Sequence, residues 1–211
     1  MIFKDRHQAG EILAKKLSKL KLKTNDSVIA AIPRGGVVVA REVSTILKIP
    51  LKIIVIKKIG APANAELAIG ATTSFGKPII DRWLTADLKV TSDYIKKEVY
   101  NKKREARARE KFLGVKIEPR DFKDKLVVVI DDGLATGQTA KMAAKVLKQF
   151  GAKKLILAVP CASSQTLALV GEDYDEVICL EANDDFGAVG QFYRDFRPVE
   201  DSEVRELLAN N

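Results

Sequence analysis

The sequence is poor in the residues that most often carry redox or metal chemistry. Its 211 residues include two cysteines, Cys161 and Cys179, and a single histidine, His7. The cysteines are too far apart in sequence to form a CxxC site, and we interpret both as free thiols that fill space in the core. His7 has no partner close in sequence, so we assign it no chemistry.

Long hydrophobic runs are also absent. No apolar stretch approaches the ~20 residues that span a bilayer. The residues from Met1 to His7 lack the apolar core of a signal peptide. We therefore expect a cytoplasmic protein without a membrane partner. The hydrophobic fraction of 46% is ordinary for a globular chain, and we expect one domain over residues 1–211.

The net charge of +8 is concentrated in one segment. Thr91 or Ser92 is predicted to cap a helix over 93–112, in which eight Lys or Arg stand against four Asp or Glu. A solvated surface helix with ion pairs between successive turns is the favoured interpretation. A patch for RNA or a protein partner is the alternative, weakened because only Tyr94 and Tyr100 interleave with the charges.

One stretch in the second half of the chain is the most informative. The apolar run Leu126–Ile130 predicts a strand buried on both faces, and Asp131 and Asp132 follow at its carboxyl end. A Gly/Thr-rich turn over 133–137 comes next, and the apolar spacing becomes helical from Gln138. Free amides of a first helical turn bind anions, so this turn predicts a phosphate site.

The acid pair adds a second capability to this stretch. Carboxylates repel a phosphate, so we expect them to accept hydrogen bonds from sugar hydroxyls or to hold a hydrated Mg²⁺. The combination favours a phosphorylated sugar as ligand. The motif is neither a Walker loop, Gly-x-x-x-x-Gly-Lys-Ser/Thr, nor the dinucleotide motif Gly-x-Gly-x-x-Gly.

A similar arrangement occurs near the start of the chain. The predicted strand Ser27–Ile32 ends in Pro33-Arg34-Gly35-Gly36, and a predicted helix over 37–47 leaves that turn. Arg34 can bind a phosphate through two hydrogen bonds, while the two glycines expose their amides. This turn is therefore a second candidate anion site.

A third basic segment follows the next predicted strand, Leu51–Ile56. It begins with Lys57 and Lys58 and continues as a Gly/Pro/Asn loop, which is typical of a mobile lid beside an anionic ligand. An exposed basic strand end is the alternative. Further on, 68–73 and 78–80 are expected to pair as a hairpin.

Strands and helices alternate along most of the chain. Asp5 is predicted to cap a helix over 6–20, and further elements are expected at 155–159 (strand), from Ser163 (helix), 176–180 (strand) and 200–208 (helix). Alternation of this kind predicts an α/β fold with a doubly wound, mainly parallel sheet, whose ligands bind at strand carboxyl ends. Four residues lie just beyond such ends: Arg34, Lys57, Asp131 and Cys161.

These motifs together resemble the type I phosphoribosyltransferases. The resemblance runs from the Asp-Arg start through Pro-Arg-Gly-Gly, Lys-Lys-Ile-Gly-Ala-Pro, Ile-Asp-Asp-Gly-Leu-Ala-Thr-Gly and Ala-Val-Gly-Gln-Phe-Tyr. In this combination it is similar to a prokaryotic group whose acceptor is unassigned. It implies Mg²⁺-dependent transfer of the 5-phosphoribosyl group of PRPP to a nitrogenous acceptor, with release of pyrophosphate.

The resemblance also implies residue roles. The catalytic residues would be Arg34, Lys58, Asp131 and Asp132. The PRPP-binding residues would be Gly35, Gly36, Lys57, Gly133, Leu134, Ala135, Thr136, Gly137, Gln138 and Thr139. Asp131 and Asp132 would hold Mg²⁺ indirectly, through water or PRPP. In this family the Arg-Gly-Gly turn often contains a cis peptide, a flexible flap is expected at about 58–80, and a small hood at about 181–211.

One departure from the family pattern bears on the acceptor. Enzymes for 6-oxopurines carry an Asp just before the loop Thr, where this sequence has Ala135, so hypoxanthine and guanine are disfavoured. The segment 184–196 contains three Phe and one Tyr. These rings either pack onto the sheet or stack on a planar acceptor.

Two other functions remain open at this point. A PRPP-sensing regulator would keep the fold and bind RNA or a protein partner through the basic helix 93–112. A phosphate-binding hydrolase or kinase on a similar sheet is disfavoured by the missing Walker lysine. We also expect a homo-oligomer, most simply a dimer.

Overall fold

The computed structural model describes residues 1–209, so the last two residues of the predicted hood, 210 and 211, lie outside it. The helices are α1 (Arg6–Leu17), α2 (Gly35–Leu47), α3 (Arg82–Asp87), α4 (Ser92–Phe112), α5 (Gln138–Gln149), α6 (Ser164–Gly171) and α7 (Asp201–Ala209). The strands are β1 (Ser27–Ala31), β2 (Leu51–Ile53), β3 (Lys57–Ala61), β4 (Asn64–Thr72), β5 (Ile79–Ile80), β6 (Leu126–Ile130), β7 (Lys154–Ala162) and β8 (Glu176–Ala182).

Five strands form one parallel sheet in the order β2-β1-β6-β7-β8. β1 and β6 pair over their whole length, from Ser27 opposite Leu126 to Ala31 opposite Ile130. The chain leaves β1 towards β2 on one side and leaves β6 towards β7 on the other. Right-handed crossovers then place α2 and α5 on opposite faces of the sheet. The predicted doubly wound α/β fold is confirmed.

The central strands are apolar because both faces of the sheet are covered. Every residue of β1 is buried, and so are Val127 to Ile130 of β6. α5 covers one face with small and apolar side chains, and its buried residues are Ala140, Ala143, Ala144, Val146 and Leu147. Continuous apolar strands of this kind are typical of a parallel sheet between helical layers.

Several predicted element bounds change in the structure. α1 is capped by Asp5, as expected, but it ends at Leu17 and a 3₁₀ turn continues to Leu20. The helix predicted from residue 37 begins at Gly35, so both glycines of the Pro-Arg-Gly-Gly turn belong to its first turn. β2 ends at Ile53 instead of residue 56.

The segment predicted as a lid loop is a small antiparallel sheet in the order β3-β4-β5. Lys57 and Lys58 lie on β3 instead of in a loop, opposite Thr72 and Ala71 of β4. The predicted hairpin between β4 and β5 is present, with only two paired residues on β5. The interpretation of 57–66 as a loop was wrong because β3 and β4 form a hairpin across a short turn at 62–63, paired from Lys57 opposite Thr72 to Ala61 opposite Asn64.

The basic helix α4 supports this flap sheet. Tyr94 donates a hydrogen bond from its hydroxyl to the Gly60 carbonyl at 3.0 Å. Lys103 and Arg107 donate to the carbonyls of Gly76 and Ser74, at 2.6 and 3.1 Å. Apolar side chains of α4 also pack against the flap, among them Ile95 and Val99. One face of the charged helix therefore holds the flap, while its other face meets solvent.

The C-terminal segment packs against the start of the chain. A backbone bridge joins Phe3 to Tyr193, and both side chains are buried. The rings pair with one another, Phe186 with Phe192 and Tyr193 with Phe196, at centroid separations of 5.1 and 5.0 Å. Without a ligand these rings pack against one another and against the start of the chain, and stacking on a planar acceptor stays a prediction. None of the helices in residues 1–209 is long and apolar enough to cross a membrane.

The Tyr94 hydrogen bond gives a direct test of the α4–flap contact. Tyr94→Phe is expected to lower the free energy of unfolding by about 0.5–1.5 kcal/mol, because the Gly60 carbonyl loses its donor. It is also expected to speed amide hydrogen exchange in β3 and β4. Urea unfolding and exchange mass spectrometry measure the two effects. Tyr100→Phe is the matched control, because Tyr100 is 62% exposed. Equal stability of both variants would refute the contact.

Candidate active site

The two candidate anion turns meet at the carboxyl ends of β1 and β6. The strands end level with one another, and the Ile32 amide still donates to the Ile130 carbonyl at 2.9 Å. The Pro33–Gly36 turn therefore faces the acid pair that follows Ile130. Because the chain moves away from this point in two directions, a crevice opens between the strands, where open α/β sheets bind ligands.

The glycines of the first turn allow the second turn to approach closely. A Cβ atom at Gly36 would lie 2.8 Å from the Asp131 Cα and 2.9 Å from the Ile130 carbonyl oxygen. A Cβ atom at Gly35 would overlap the Asp132 carboxylate. Glycine is therefore required at both positions for steric reasons. The Pro33–Arg34 peptide is cis, as the family resemblance implied.

The second turn is fixed by β7 and α6. The Leu134 amide donates to the Cys161 carbonyl at 2.9 Å, and the Leu134 side chain is buried. The Ala135 carbonyl accepts from the Thr166 hydroxyl at 3.0 Å. Gly137 has φ +68°, a backbone conformation that favours glycine, and it also lies against Val170. A side chain at this position is therefore excluded both by conformation and by sterics. Leu134 thus anchors the turn, and its amide already has a hydrogen-bond partner within the protein.

The same turn encloses a small cavity of about 170 Å³. Its lining residues are Asp131, Gly133, Leu134, Ala135, Thr136, Gly137, Gln138, Thr139, Ala140 and Val189. The structure therefore brings all seven predicted residues of the 133–139 turn to one cavity, beside one of the two carboxylates. Val189 of the hood was missed by the sequence interpretation, which treated the hood through its aromatic residues.

Asp131 lies at the bottom of this site. Its Oδ1 accepts a hydrogen bond from the Asp132 amide at 2.9 Å. Part of the residue is accessible, but protein surrounds the carboxyl group on most sides. Burial, and after it the charge of Asp132, raise the pKa of Asp131 well above its ordinary value of 3.8. The ligand-free site therefore disfavours a charge at Asp131, and a cationic ligand group would compensate for it.

Asp132 is held by Arg6, a residue to which the sequence interpretation gave no role. Arg6 Nε donates to Asp132 Oδ2 at 2.7 Å. The Tyr193 hydroxyl donates to the Asp132 carbonyl at 2.6 Å, and burial raises the pKa of Tyr193, which keeps that donor protonated. The Asp-Arg pair at the start of the chain was among the family motifs, and it was the only sequence signal for this contact.

The backbone of Arg34 forms part of the Pro33–Gly36 turn, whereas its side chain lies near α7. The guanidinium is about half exposed, with Nη1 3.8 Å from Asp201 Oδ1 on α7. Asp201 also forms an ion pair with Arg109 of α4. The side chain of Arg34 is thus drawn towards α7, while its peptide begins the anion turn.

The two lysines of β3 have different surroundings, because neighbouring residues of a strand point to opposite faces. Lys57 Nζ lies 3.4 Å from Glu105 on α4. Lys58 lines a cleft of about 740 Å³ between the flap and α5, together with Gln138, Lys141 and other residues. Lys58 is therefore the lysine on the side of the phosphate turn.

A parallel sheet with two glycine turns and an acid pair at its switch point defines an α/β protein with a candidate anion site at the carboxyl ends of its strands. The family model "Phosphoribosyl transferase domain" matches residues 3–197. The chain belongs to the phosphoribosyl transferase domain family.

Relatives agree with this assignment. Two proteins of Mycobacterium tuberculosis, each named "Putative phosphoribosyl transferase", are 36% identical over 211 residues and 98% of this chain. The chain spans about half the length of these curated relatives, 46% of each.

Solved structures show the same fold. A Thermus thermophilus protein has a TM-score of 0.85 and 33% identity, with 100% of this chain and 99% of the other covered. A Neisseria gonorrhoeae protein crystallised with ppGpp has a TM-score of 0.51 and 15% identity, with 100% and 98% covered. At that identity the second likeness shows the fold alone.

The raised pKa of Asp131 predicts a pH-dependent effect of Asp131→Asn. The folded-state pKa lies above the unfolded value, so ionisation of Asp131 lowers stability as the pH rises through the folded-state pKa. The variant avoids this loss, so we expect a higher unfolding temperature than wild type at about pH 8, with the difference shrinking towards pH 4. Thermal unfolding across this pH range measures it. A pH-independent difference would contradict the assignment.

Proposed function

We propose that the protein transfers the 5-phosphoribosyl group of PRPP to a nitrogenous acceptor and releases pyrophosphate. One observation carries this proposal: two glycine turns with an acid pair between them meet at one crevice, and each turn precedes or begins a helix. PRPP has two anionic ends joined by a ribose with two hydroxyls, and that order of groups matches the order of the turns and carboxylates. Membership of the family supports the same reaction.

Each part of the site has a role in this reaction. The amides and hydroxyls of the 136–139 segment hold the 5-phosphate, because they begin α5 and line the small cavity. The amides at the start of α2, with Arg34 and Lys58, bind the leaving pyrophosphate. Asp131 and Asp132 accept from the ribose hydroxyls. The transition state resembles an oxocarbenium ion, so catalysis consists of positioning and stabilisation of the leaving charge.

Mg²⁺ fits this site only together with its ligand. No group of three or more His, Cys, Asp or Glu with metal-binding spacing occurs among residues 1–209. Two carboxylates, Asp131 and Asp132, are within reach, and one oxygen of Asp132 already accepts from Arg6. Mg²⁺ commonly keeps several waters and binds through one or two carboxylates plus substrate phosphates. When bound, it would neutralise charge on the pyrophosphate group.

Ala135 limits which acceptor bases the site can use, because its side chain has no group that transfers a proton. Ala135 is exposed in the phosphate turn, and its methyl group neither donates nor accepts a proton. Acceptors whose ring nitrogen requires a proton transfer at this point, such as hypoxanthine and guanine, are therefore disfavoured. The hood aromatics are stacked on one another, so the ligand-free hood offers no open pair of rings for a planar base.

The alternative of a regulator that binds RNA through α4 loses its main support. Lys103 and Arg107 are bonded to flap carbonyls, Arg109 to Asp201, and Lys102 to Glu105. These contacts give four of the eight cations of α4 a structural explanation. The enzyme is the proposal that the observations favour.

Pyrophosphate release tests the proposed reaction. With PRPP and MgCl₂, a panel of purine and pyrimidine bases is expected to contain an acceptor that releases pyrophosphate, with guanine and hypoxanthine poor. Asp132→Asn should lower this release by about 100-fold or more, because it removes a charge from the reacting ribose. Asp87→Asn, at an exposed position of α3, should match wild type. Efficient guanine turnover would refute the acceptor inference, and absence of PRPP binding would refute the reaction.

The different surroundings of the two lysines predict unequal effects on PRPP binding. Lys58→Ala is expected to weaken PRPP affinity about tenfold, because one charge-assisted contact contributes roughly 1.5 kcal/mol. Lys57→Ala should have a smaller effect, because Lys57 is paired with Glu105 at 3.4 Å. Titration calorimetry with PRPP and MgCl₂ compares the two variants, which have the same charge. The reverse order would overturn the assignment of Lys58.

A further inference from the structure

Arg6 is a cation buried inside the protein. Only 8% of its surface is exposed, although it is the first residue of α1. Nε donates to Asp132 Oδ2 at 2.7 Å and Nη1 donates to the Arg197 carbonyl at 2.9 Å. A buried ion pair is weak evidence of stabilisation, because its desolvation cost often equals its Coulombic gain. The position of Arg6 therefore calls for an explanation other than fold stability.

Aromatic rings hold the guanidinium in place. Its carbon lies 3.9 Å from the ring centroid of Phe196 and 5.9 Å from that of Tyr193. Both rings belong to the hood, and they stack on one another at 5.0 Å. Such cation–π contacts fix the plane of the guanidinium and hence the direction of its donors.

Asp132 is also held through its backbone, from a second direction. The Tyr193 hydroxyl donates to the backbone carbonyl of Asp132 at 2.6 Å. A Cβ atom at Gly35 would overlap Asp132 Oδ2 and would lie 2.8 Å from Arg6 Nε. Arg6, Asp132 and the Pro33–Gly36 turn are thus in mutual contact. The hood contacts the backbone of Asp132 directly, through Tyr193, and its side chain only through Arg6.

We propose that Arg6 is a positioning residue that holds the Asp132 carboxylate in its ribose-binding orientation and connects it to the hood. This inference rests on the proposed function and extends it. Without Arg6, the carboxylate next to Asp131 would be free to rotate away from its neighbour's negative charge. A carboxylate that Arg6 already holds in place avoids the entropic cost of being ordered when the ribose binds.

The test is a double-mutant cycle read by calorimetric binding of PRPP in the presence of MgCl₂. Arg6→Gln is expected to weaken PRPP binding by about 10–100-fold, the range found for groups that orient a ligand-binding residue. In an Asp132→Asn background the same change should cost less than about threefold, because the carboxylate to be positioned is gone. Arg6→Lys should fall between Arg6→Gln and wild type, because it restores a donor to Asp132.

Arg194→Gln is the matched control, since it removes a positive charge from an exposed position of the same hood. It should bind PRPP within about twofold of wild type, well below the effect expected of an orienting group. Unfolding temperatures of all variants show whether each is folded. If Arg6→Gln does not fold, Arg6→Lys replaces it in the cycle, with the same expected loss of effect in the Asp132→Asn background.

Three results have distinct meanings. Wild-type affinity of Arg6→Gln, or effects of Arg6→Gln and Asp132→Asn that multiply, would overturn the positioning role while leaving the proposed reaction standing. Failure of the wild-type protein to bind PRPP would overturn the proposed reaction and this inference with it. Binding that weakens in Arg6→Gln and is insensitive to Arg6 once Asp132 is neutral would support both.

Discussion

The candidate site depends above all on the parallel pairing of β1 with β6. The backbone ladder ends at Ala31 and Ile130, at one level of the sheet, so the turns that follow must face each other. They can approach only because Gly35 and Gly36 have no side chains to collide with the acid pair. The separation of the anion turns is therefore fixed by backbone geometry and sterics, before any charged side chain contributes.

Electrostatic repulsion at the candidate site lowers the stability of the ligand-free protein. Two neighbouring carboxylates at a partly enclosed crevice repel one another, which is one reason that the pKa of Asp131 is raised. Arg6 offsets this repulsion from one side only, through Asp132 Oδ2. A site that is electrostatically unfavourable when empty is a common trade of stability for function.

The contacts of the basic helix α4 explain part of its charge. Its eight cations favour a solvated helix with ion pairs and leave a surface for RNA or a protein partner as the alternative. In the structure, Lys103 and Arg107 donate to carbonyls at the end of the flap, and Arg109 pairs with Asp201. Cationic side chains are suitable here because the carbonyls of Ser74 and Gly76 and the carboxylate of Asp201, at the start of α7, accept hydrogen bonds. The sequence of the helix alone does not reveal these acceptors.

The sequence by itself determined the fold class and the positions of both candidate anion turns, because these follow from local features: apolar runs, glycines at strand ends and helical spacing. Only the tertiary structure decided which neighbours those features meet. Lys57 and Lys58 became distinguishable once β4 paired with β3 and gave each a separate face. The contact between Arg6 and Asp132 joins residues 126 positions apart. Long-range contacts of this kind arise from chain topology, which no local pattern records.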